Sequence, residues 1–363
     1  MNPTRQLHAQ GQRLWLDNIT RKLLDDGTLS RYIDQLSVSG LTSNPAIFEQ
    51  AIKAGGAYDA AIRTKAIEGR AGEELFFELA LEDLRRAADL FAPLHAASGG
   101  LDGWVSLEVS PLLADDAGAT IRAAAALHAR ARRPNIFIKI PGTAAGLTAI
   151  EASIAAGIPV NVTLLFSREH YLAAAAAYMR GIERRLTAGL DPQVASVASI
   201  FVSRWDAAVV PEVSAAFHNR LGIAVAIRTW KAWRDLLGAE RWQGLAARGA
   251  RPQRLLWAST GTKDPALADT LYVEALVAPD TINSMPEKTL LAFADHGRVP
   301  APLSLDIALA EATLAEFGRE GIDLDSLAAT LQQDGTAAFA KSWRDLLYRI
   351  AVKSAPHGGS PDV

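Results

Sequence analysis

A lysine within an apolar segment is the first residue of this chain that suggests chemistry. Lys139 lies in residues 135–142, Asn-Ile-Phe-Ile-Lys-Ile-Pro-Gly, a pattern typical of a fully buried parallel strand. Lysine is rarely buried without a specific reason, and a desolvated, unprotonated lysine amine is the nucleophile that forms Schiff bases with carbonyl substrates. The segment alone leaves a second interpretation open, in which the Lys139 side chain extends from the strand end to solvent.

Polar residues recur near the ends of the other apolar segments, in one alternation phase. Successive side chains of a strand point to opposite faces, so Phe137 and Lys139 share one face and Ile138 takes the other. In other segments, the same alternation places polar residues on the face that corresponds to that of Lys139. These residues are Asp17, Glu108, Asn161, Thr163 and Ser199. If the apolar side chains on the opposite face of each strand pack against helices, these polar side chains converge on the lysine. They would then supply the proton transfers of carbinolamine dehydration and carbon–carbon cleavage.

Each of these residues also has a purely structural interpretation. Asp17 could cap the following helix, and Glu108 could form a structural buried ion pair with Lys139. Asn44, next to a proline, could simply occupy a turn. The remaining amide and hydroxyl residues could be satisfied core groups that hold loops: Asn161, Thr163 and Ser199. The joint occurrence of all these groups beside one lysine favours a site.

Eight short apolar segments, separated by helical stretches, would position these residues. They are predicted at residues 14–18, 38–45, 104–111, 135–142, 160–166, 197–204, 255–259 and 271–277. Such alternation indicates an α/β protein with a parallel sheet, and eight repeats in this length fit a (β/α)₈ TIM barrel. Extra helices are expected before the third strand and at the C-terminus. A doubly wound sheet is the alternative, but no Gly-x-Gly-x-x-Gly or phosphate-loop motif supports a nucleotide site.

The domain prediction is one barrel over residues 1–353, followed by a Pro-, Gly- and Ser-rich tail over 354–363 that we expect to be disordered. The 363 residues carry a net charge of −3, which does not mark a nucleic-acid or membrane-surface binder. No apolar run reaches membrane-spanning length, and the polar N-terminus lacks a signal-peptide pattern. A cytoplasmic protein is therefore predicted.

Cysteine and histidine usage narrows the chemistry further. The chain has no cysteine, which excludes disulfides, thiolate catalysis and cysteine-based zinc sites. Its seven histidines occur singly, without a second histidine or a carboxylate at a metal-ligand spacing. A metal-dependent aldolase is therefore disfavoured.

Several segments, taken together and in order, resemble those of the transaldolase family. They are Leu16-Asp17, residues 40–45, 105–111, 138–143, 157–167 and 199–204, and Trp257-Ala-Ser259. The resemblance implies a metal-free and cofactor-free enzyme of the pentose phosphate pathway, a monomer or homodimer acting on phosphorylated sugars. It would move a dihydroxyacetone unit between sedoheptulose 7-phosphate or fructose 6-phosphate and glyceraldehyde 3-phosphate or erythrose 4-phosphate.

The resemblance also implies catalytic roles for four residues. Lys139 is similar to the Schiff-base lysine that takes the ketose C2 carbonyl. Asp17 is similar to the base that removes the C4 hydroxyl proton, so that the bond between C3 and C4 breaks. Glu108 and Thr163 are similar to the pair that holds a catalytic water and moves protons during imine formation and hydrolysis.

Substrate-binding roles follow from the same resemblance. Asn44 and Asn161 are similar to the amides that hold the dihydroxyacetone hydroxyls, and Ser199 is similar to a residue lining that site. Arg204 is similar to a ligand of the substrate phosphate, which suits a guanidinium. Phe201 stands where relatives acting as fructose-6-phosphate aldolases tend to carry a polar residue, so an apolar ring there favours transfer over release.

One position departs from the family pattern. Two residues after the substrate-binding Ser259, where the better-known branch has an arginine, this chain has Gly261. We expect Lys263 to supply the second charge for the phosphate, as a point charge in place of a planar fork. Two alternatives to transaldolase remain at this point: a fructose-6-phosphate aldolase, and a barrel that binds sugar phosphates without turnover.

Overall fold

Eight parallel strands close into a barrel in chain order, with β1 pairing both β2 and β8. This computed structural model describes residues 2–262, 264 and 266–355. The strands are β1 Arg13–Asp17, β2 Val38–Thr42, β3 Trp104–Glu108, β4 Ile136–Pro141, β5 Val160–Leu165, β6 Ser196–Phe201, β7 Arg254–Ala258 and β8 Ile282–Met285. The predicted (β/α)₈ barrel is confirmed, and the doubly wound alternative is wrong.

Helices surround the barrel and supply the additional elements expected from the sequence. Within the described residues they are α1 Pro3–Ala9, α2 Arg21–Asp25, α3 Thr28–Leu36, α4 Pro45–Ala54, α5 Asp59–Ile67, α6 Gly72–Ala97, α7 Ala117–Ala131, α8 Ala144–Ala155, α9 Arg168–Thr187, α10 Ser203–Val209, α11 Leu221–Gly238, α12 Glu240–Ala246, α13 Leu271–Ala275, α14 Glu287–His296, α15 Ala308–Arg319 and α16 Leu324–Ser354. None of these described helices has the length and apolarity to cross a membrane.

The eighth strand is not where the sequence placed it. Residues 271–277 contain the short helix α13, whose Tyr272 and Val273 are buried. The true β8 has four residues, and its two central side chains are the polar Asn283 and Ser284. Both are buried, so this strand has no apolar run by which the sequence could identify it. The number of strands predicted from the apolar segments, eight, is correct, but the last strand was assigned to the wrong segment.

The lower half of the barrel interior is filled by large apolar side chains. Trp104 and Phe137 stack with ring centroids 4.1 Å apart, and Trp15 lies beside Phe137. Gly40 makes room for the Trp15 indole, because a Cβ at this glycine would lie 2.4 Å from the Trp15 ring. The polar residues of the same alternation phase therefore occupy the upper half, at the C-terminal ends of the strands.

Side-chain caps fix the points at which helices leave the upper ends of the strands. Asn44 Oδ1 accepts from the Ile47 amide at the start of α4. Thr143 and Ser167 cap α8 and α9 in the same way. Because each cap ties a strand-to-helix connection to its own helix, the connections around the barrel mouth have defined geometry.

The last helix, α16, lies across one side of the barrel mouth and packs against α4, α5 and α6. The Trp343 indole donates to Glu73 Oε1 at 2.7 Å, and Lys353 Nζ donates to Asp59 Oδ1 at 2.5 Å. The helix includes Ser354, the first residue of the predicted tail, and residues 356–363 lie outside the described part of the chain.

Candidate active site

The polar residues expected to act together surround one pocket at the C-terminal ends of the strands. Most of the predicted site residues line it directly: Asp17, Asn44, Lys139, Thr163, Ser199, Phe201, Arg204 and Ser259. Glu108 and Asn161 contact this group from below, since Glu108 pairs in register with Lys139 and Lys139 pairs with Asn161. Lys263 lies outside the described residues, so its predicted contact with the phosphate stays a prediction.

Lys139 is buried and held by two oxygen atoms. Its Nζ donates to the Ser43 carbonyl at 3.2 Å and lies 3.4 Å from Glu108 Oε2. Lys139 and Glu108 are each only 5% exposed, so the interpretation in which Lys139 extends to solvent is wrong. The Ser43 hydroxyl donates to the Ser106 carbonyl at 2.8 Å, which fixes the loop that carries the acceptor. The amine is thus aimed into the pocket from the barrel wall.

Glu108 is the group beside the lysine that can both donate and accept a proton. Burial raises the pKa of Glu108 to about 7, against the opposing charge of Lys139, and the nearby Asp17 carboxylate raises it further. Glu108 Oε2 has no hydrogen-bond partner among the described residues. Its distance of 3.4 Å from Lys139 Nζ exceeds that of a strong charged hydrogen bond. A carboxyl group with this pKa is present in both protonation states near neutral pH.

Asp17 receives a hydrogen bond from a neighbouring strand. Thr42 donates from Oγ1 to Asp17 Oδ1 at 2.8 Å, and Ser284 Oγ lies 2.7 Å from the same Thr42 oxygen. Because a hydroxyl has a single proton, Thr42 must receive the hydrogen bond that Ser284 donates. Burial raises the pKa of Asp17, while Lys139 and the Thr42 hydroxyl lower it. The helix-capping interpretation of Asp17 is wrong, since Thr20 caps α2.

Asn161 has a fixed amide orientation below the pocket. Its Nδ2 donates to Ser106 Oγ at 3.1 Å, and its Oδ1 accepts from the Ser199 hydroxyl at 2.7 Å. These contacts use the amide oxygen and one of the two amide N–H groups. The other amide hydrogen has no partner in the described chain, so Asn161 retains one donor for a ligand.

Thr163 presents an unpaired hydroxyl at an irregular point of β5. The pairing of β5 with β6 shifts register between Val162 and Leu165, and Leu164 has a φ of 58°. Such a bulge redirects the side chains next to it. The fully buried Thr163 Oγ1 has no hydrogen-bond partner among the described residues. A buried polar atom without a partner is suited to hold a water molecule.

A cation and a hydroxyl lie at the outer end of the pocket. Arg204, at the start of α10, is half-buried, and burial lowers the pKa of its guanidinium. It forms no hydrogen bond or ion pair within the described residues, and its Cζ lies 5.0 Å from the centroid of the Phe201 ring. Ser259 has a φ of 58°, and its Oγ lies 3.0 Å from Ser203 Oγ. An unpaired, partly desolvated guanidinium in the same pocket as a hydroxyl suits an anionic group.

The sequence interpretation missed five residues that line this pocket: Thr42, Leu256, Ala258, Ser284 and Phe339. Thr42 has the same alternation phase as Gly40, a signal that could have identified it. Ser284 was missed because β8 was assigned to residues 271–277. Phe339 comes from α16, and nothing in the local sequence of a helix that far along the chain connects it with Lys139.

Comparison with known proteins agrees with this geometry. The family described as transaldolase/fructose-6-phosphate aldolase matches residues 14–350. A protein named transaldolase from Thermobifida fusca is 44% identical, over 98% of this chain and 99% of its own length. Transaldolases from Parafrankia sp. and Thiobacillus denitrificans are 44% and 43% identical, each over 96% of this chain and over 97% and 100% of their own lengths. The chain therefore belongs to the transaldolase/fructose-6-phosphate aldolase family.

Proposed function

We propose that this protein is a transaldolase that carries a dihydroxyacetone unit on Lys139. The donors would be sedoheptulose 7-phosphate or fructose 6-phosphate, and the acceptors glyceraldehyde 3-phosphate or erythrose 4-phosphate, as in the pentose phosphate pathway. The observation that carries the proposal is a buried lysine amine 3.4 Å from a carboxyl group whose pKa is about 7. Nucleophile and proton donor are then in place for imine formation.

Imine formation begins when Lys139 Nζ, as the free amine, attacks the C2 carbonyl of the ketose. The carbonyl oxygen takes one proton from the attacking amine and becomes the carbinolamine hydroxyl, which needs a second proton to leave as water. Glu108 supplies that proton, through a water molecule held by the unpaired Thr163 hydroxyl. Microscopic reversibility assigns the same two residues to hydrolysis, with Glu108 then acting as the base.

Carbon–carbon cleavage requires a base, and we assign this role to Asp17, which lines the same pocket as Lys139. Its carboxylate removes the C4 hydroxyl proton, the C3–C4 bond breaks, and the electron pair moves into the iminium to form an enamine. The aldehyde product leaves with its phosphate. Burial makes the ionised Asp17 a stronger base, while the Thr42 hydroxyl keeps it oriented. An acceptor aldehyde reverses these steps and gives the new ketose.

The remaining residues would hold the substrate along the pocket. The free amide hydrogen of Asn161 and the Nδ2 of Asn44, whose Oδ1 caps α4, are donors for the dihydroxyacetone hydroxyls. Arg204 and Ser259 would bind the phosphate at the outer end. Phe201 is 6% exposed and makes its side of the pocket apolar. An apolar lining disfavours hydrolysis of the dihydroxyacetone–Lys139 intermediate before an acceptor binds. The role of Lys263 as a second phosphate ligand stays a prediction.

Borohydride trapping with fructose 6-phosphate, followed by peptide mass mapping, tests the mechanism. The expected result is a reduced adduct on the peptide containing Lys139, absent in Lys139→Met. An adduct on another lysine would refute the assignment, and the absence of any adduct would revive a barrel that only binds sugar phosphates. Release of free dihydroxyacetone without an acceptor would identify a fructose-6-phosphate aldolase instead.

The cytoplasmic location, the single-domain boundaries and the monomeric or homodimeric state that the sequence suggested stay predictions. So does independence from metals and cofactors, for which turnover in the presence of a chelator is the simplest test.

A further inference from the structure

One face of α16 reaches directly into the barrel mouth. Gln332, Gly335 and Phe339 are three and four residues apart, so they share this face. The Gln332 amide donates to the Leu164 carbonyl at 2.9 Å and to the Gly142 carbonyl at 3.2 Å. Leu164 is the positive-φ residue of the β5 bulge. The helix is thus fixed to the ends of β4 and β5, the strands that carry Lys139 and Thr163.

Gly335 allows the helix backbone to approach the phosphate-binding arginine. A Cβ at this position would lie 3.1 Å from Arg204 Nη1 and 2.9 Å from Leu164 Cδ2. Even an alanine would therefore require Arg204 or Leu164 to move. The arginine lies directly beneath α16, and its freedom of movement on this side is limited by the helix itself.

Two aromatic rings are the contacts that orient Arg204. Its Cζ lies 5.0 Å from the centroid of the Phe201 ring and 5.8 Å from that of Phe339. No described side chain or carbonyl forms a hydrogen bond or an ion pair with this guanidinium. A guanidinium that contacts aromatic rings and forms no hydrogen bond to the described chain retains its N–H groups as donors for a phosphate.

We propose that Phe339 is a positioning residue that makes the site selective for phosphorylated aldehydes, acting through Arg204. The proposal rests on the proposed transaldolase function and adds the C-terminal helix to its substrate recognition. Phe201 fixes the guanidinium from β6, and Phe339 fixes it from α16. Without the second ring, Arg204 would sample orientations that do not meet the phosphate, and only substrates that need Arg204 would suffer.

Phe339 also lies near the nucleophile, with its ring centroid 5.7 Å from Lys139 Nζ. An effect exerted through Lys139 would alter the chemistry for every substrate alike. Two acceptors, used with the same donor, separate these two actions. The covalent intermediate is then identical in both reactions, and only the acceptor phosphate differs.

The experiment compares glyceraldehyde 3-phosphate with glyceraldehyde as acceptors, at saturating sedoheptulose 7-phosphate, and measures the formation of fructose 6-phosphate and of fructose in wild type, Phe339→Leu and Phe339→Tyr. We expect Phe339→Leu to raise KM for glyceraldehyde 3-phosphate by about 3- to 30-fold, the range of a desolvated cation–π contact. KM for glyceraldehyde and kcat with both acceptors should stay within twofold. Phe339→Tyr, which keeps the ring, should retain the wild-type preference.

Leu331→Ala is the matched control, because Leu331 lies on the same helix and in the same apolar cluster but does not line the pocket. It should loosen the packing of α16 without changing the ratio of the two KM values. Equal changes for both acceptors in Phe339→Leu, an unchanged KM, or the same shift in Leu331→Ala would overturn the proposal. If Phe339→Leu is too unstable to purify, Phe339→Met replaces it. Borohydride adducts on Lys139 in all variants show that the transaldolase mechanism itself holds.

Discussion

Replacement of Glu108 by glutamine should change how the stability of the protein depends on pH. Glu108 is 5% exposed, and burial raises its pKa from 4.5 to about 7 in the folded protein. Between these two values the folded state keeps a proton that the unfolded chain has lost. Stability therefore falls as the pH rises through this window and is constant on either side of it. Glu108→Gln has no proton to lose and should not show this fall.

The size of the effect follows from the shift in pKa. Each unit of difference between folded and unfolded states corresponds to about 1.4 kcal/mol, so a change from 4.5 to about 7 gives roughly 3 kcal/mol. The free energy of unfolding of the wild type should thus decrease by roughly 3 kcal/mol relative to Glu108→Gln across the window. Most of this change should occur between about pH 5 and pH 7.

Urea unfolding of both proteins at pH 5, 6, 7 and 8 measures the difference. Glu151→Gln is the control, because a hydrogen bond from Arg180 lowers the pKa of Glu151 and confines its own effect to pH values below 4.5. Its unfolding free energy should run parallel to that of the wild type over the whole range. Parallel curves for Glu108→Gln as well would show that Glu108 is ionised in the folded protein at all these pH values, and the proposed proton donor would be lost.

Three further predictions concern the cleavage base, the barrel interior and α16. Asp17→Asn should lower turnover by about 10²–10⁴, yet borohydride should still trap fructose 6-phosphate on Lys139; loss of the adduct would place Asp17 in imine formation instead. Gly40→Val should destabilise the fold by about 1–3 kcal/mol or more, because its side chain would overlap the Trp15 ring; an unchanged urea midpoint would contradict this packing. Gln332→Leu should lower the free energy of unfolding by about 2 kcal/mol, because the carbonyls of Gly142 and Leu164 each lose a hydrogen bond. Hydrogen exchange of the backbone amides should then increase first in α16. A uniform increase across the chain would argue against local release of this helix.

The sequence predicted those features that depend on local pattern. Strands β1 to β7 have apolar residues in one phase, and their polar residues near the upper ends follow from the period of two. Lys139, Glu108 and Asp17 could be placed on a common side because parallel strands share one C-terminal edge. Thr42 follows the same rule, because it lies on the same face of β2 as Val38 and Gly40. The sequence interpretation did not use this signal.

The remaining features depend on contacts between distant parts of the chain. Strand β8 has only four residues, and pairing with β1 and β7 makes it a strand where its own composition does not. Phe339 enters the site because α16 docks onto the barrel, and a helical apolar residue looks the same whether it faces a core or a pocket. The Thr42–Ser284 contact joins residues 242 positions apart, which no local pattern encodes.

The placement of α16 also affects the order in which the protein becomes functional during biosynthesis. Every strand precedes this helix, so ribosomes complete the barrel segments before they translate the segment that covers them. The contacts that hold α16 join distant positions, such as Gln332 with Gly142, 190 residues apart, and Trp343 with Glu73, 270 residues apart. Contacts of such long range form late, after local structure has assembled. A nascent chain with a formed barrel would therefore expose the Lys139 amine to water until α16 has been synthesised and docked.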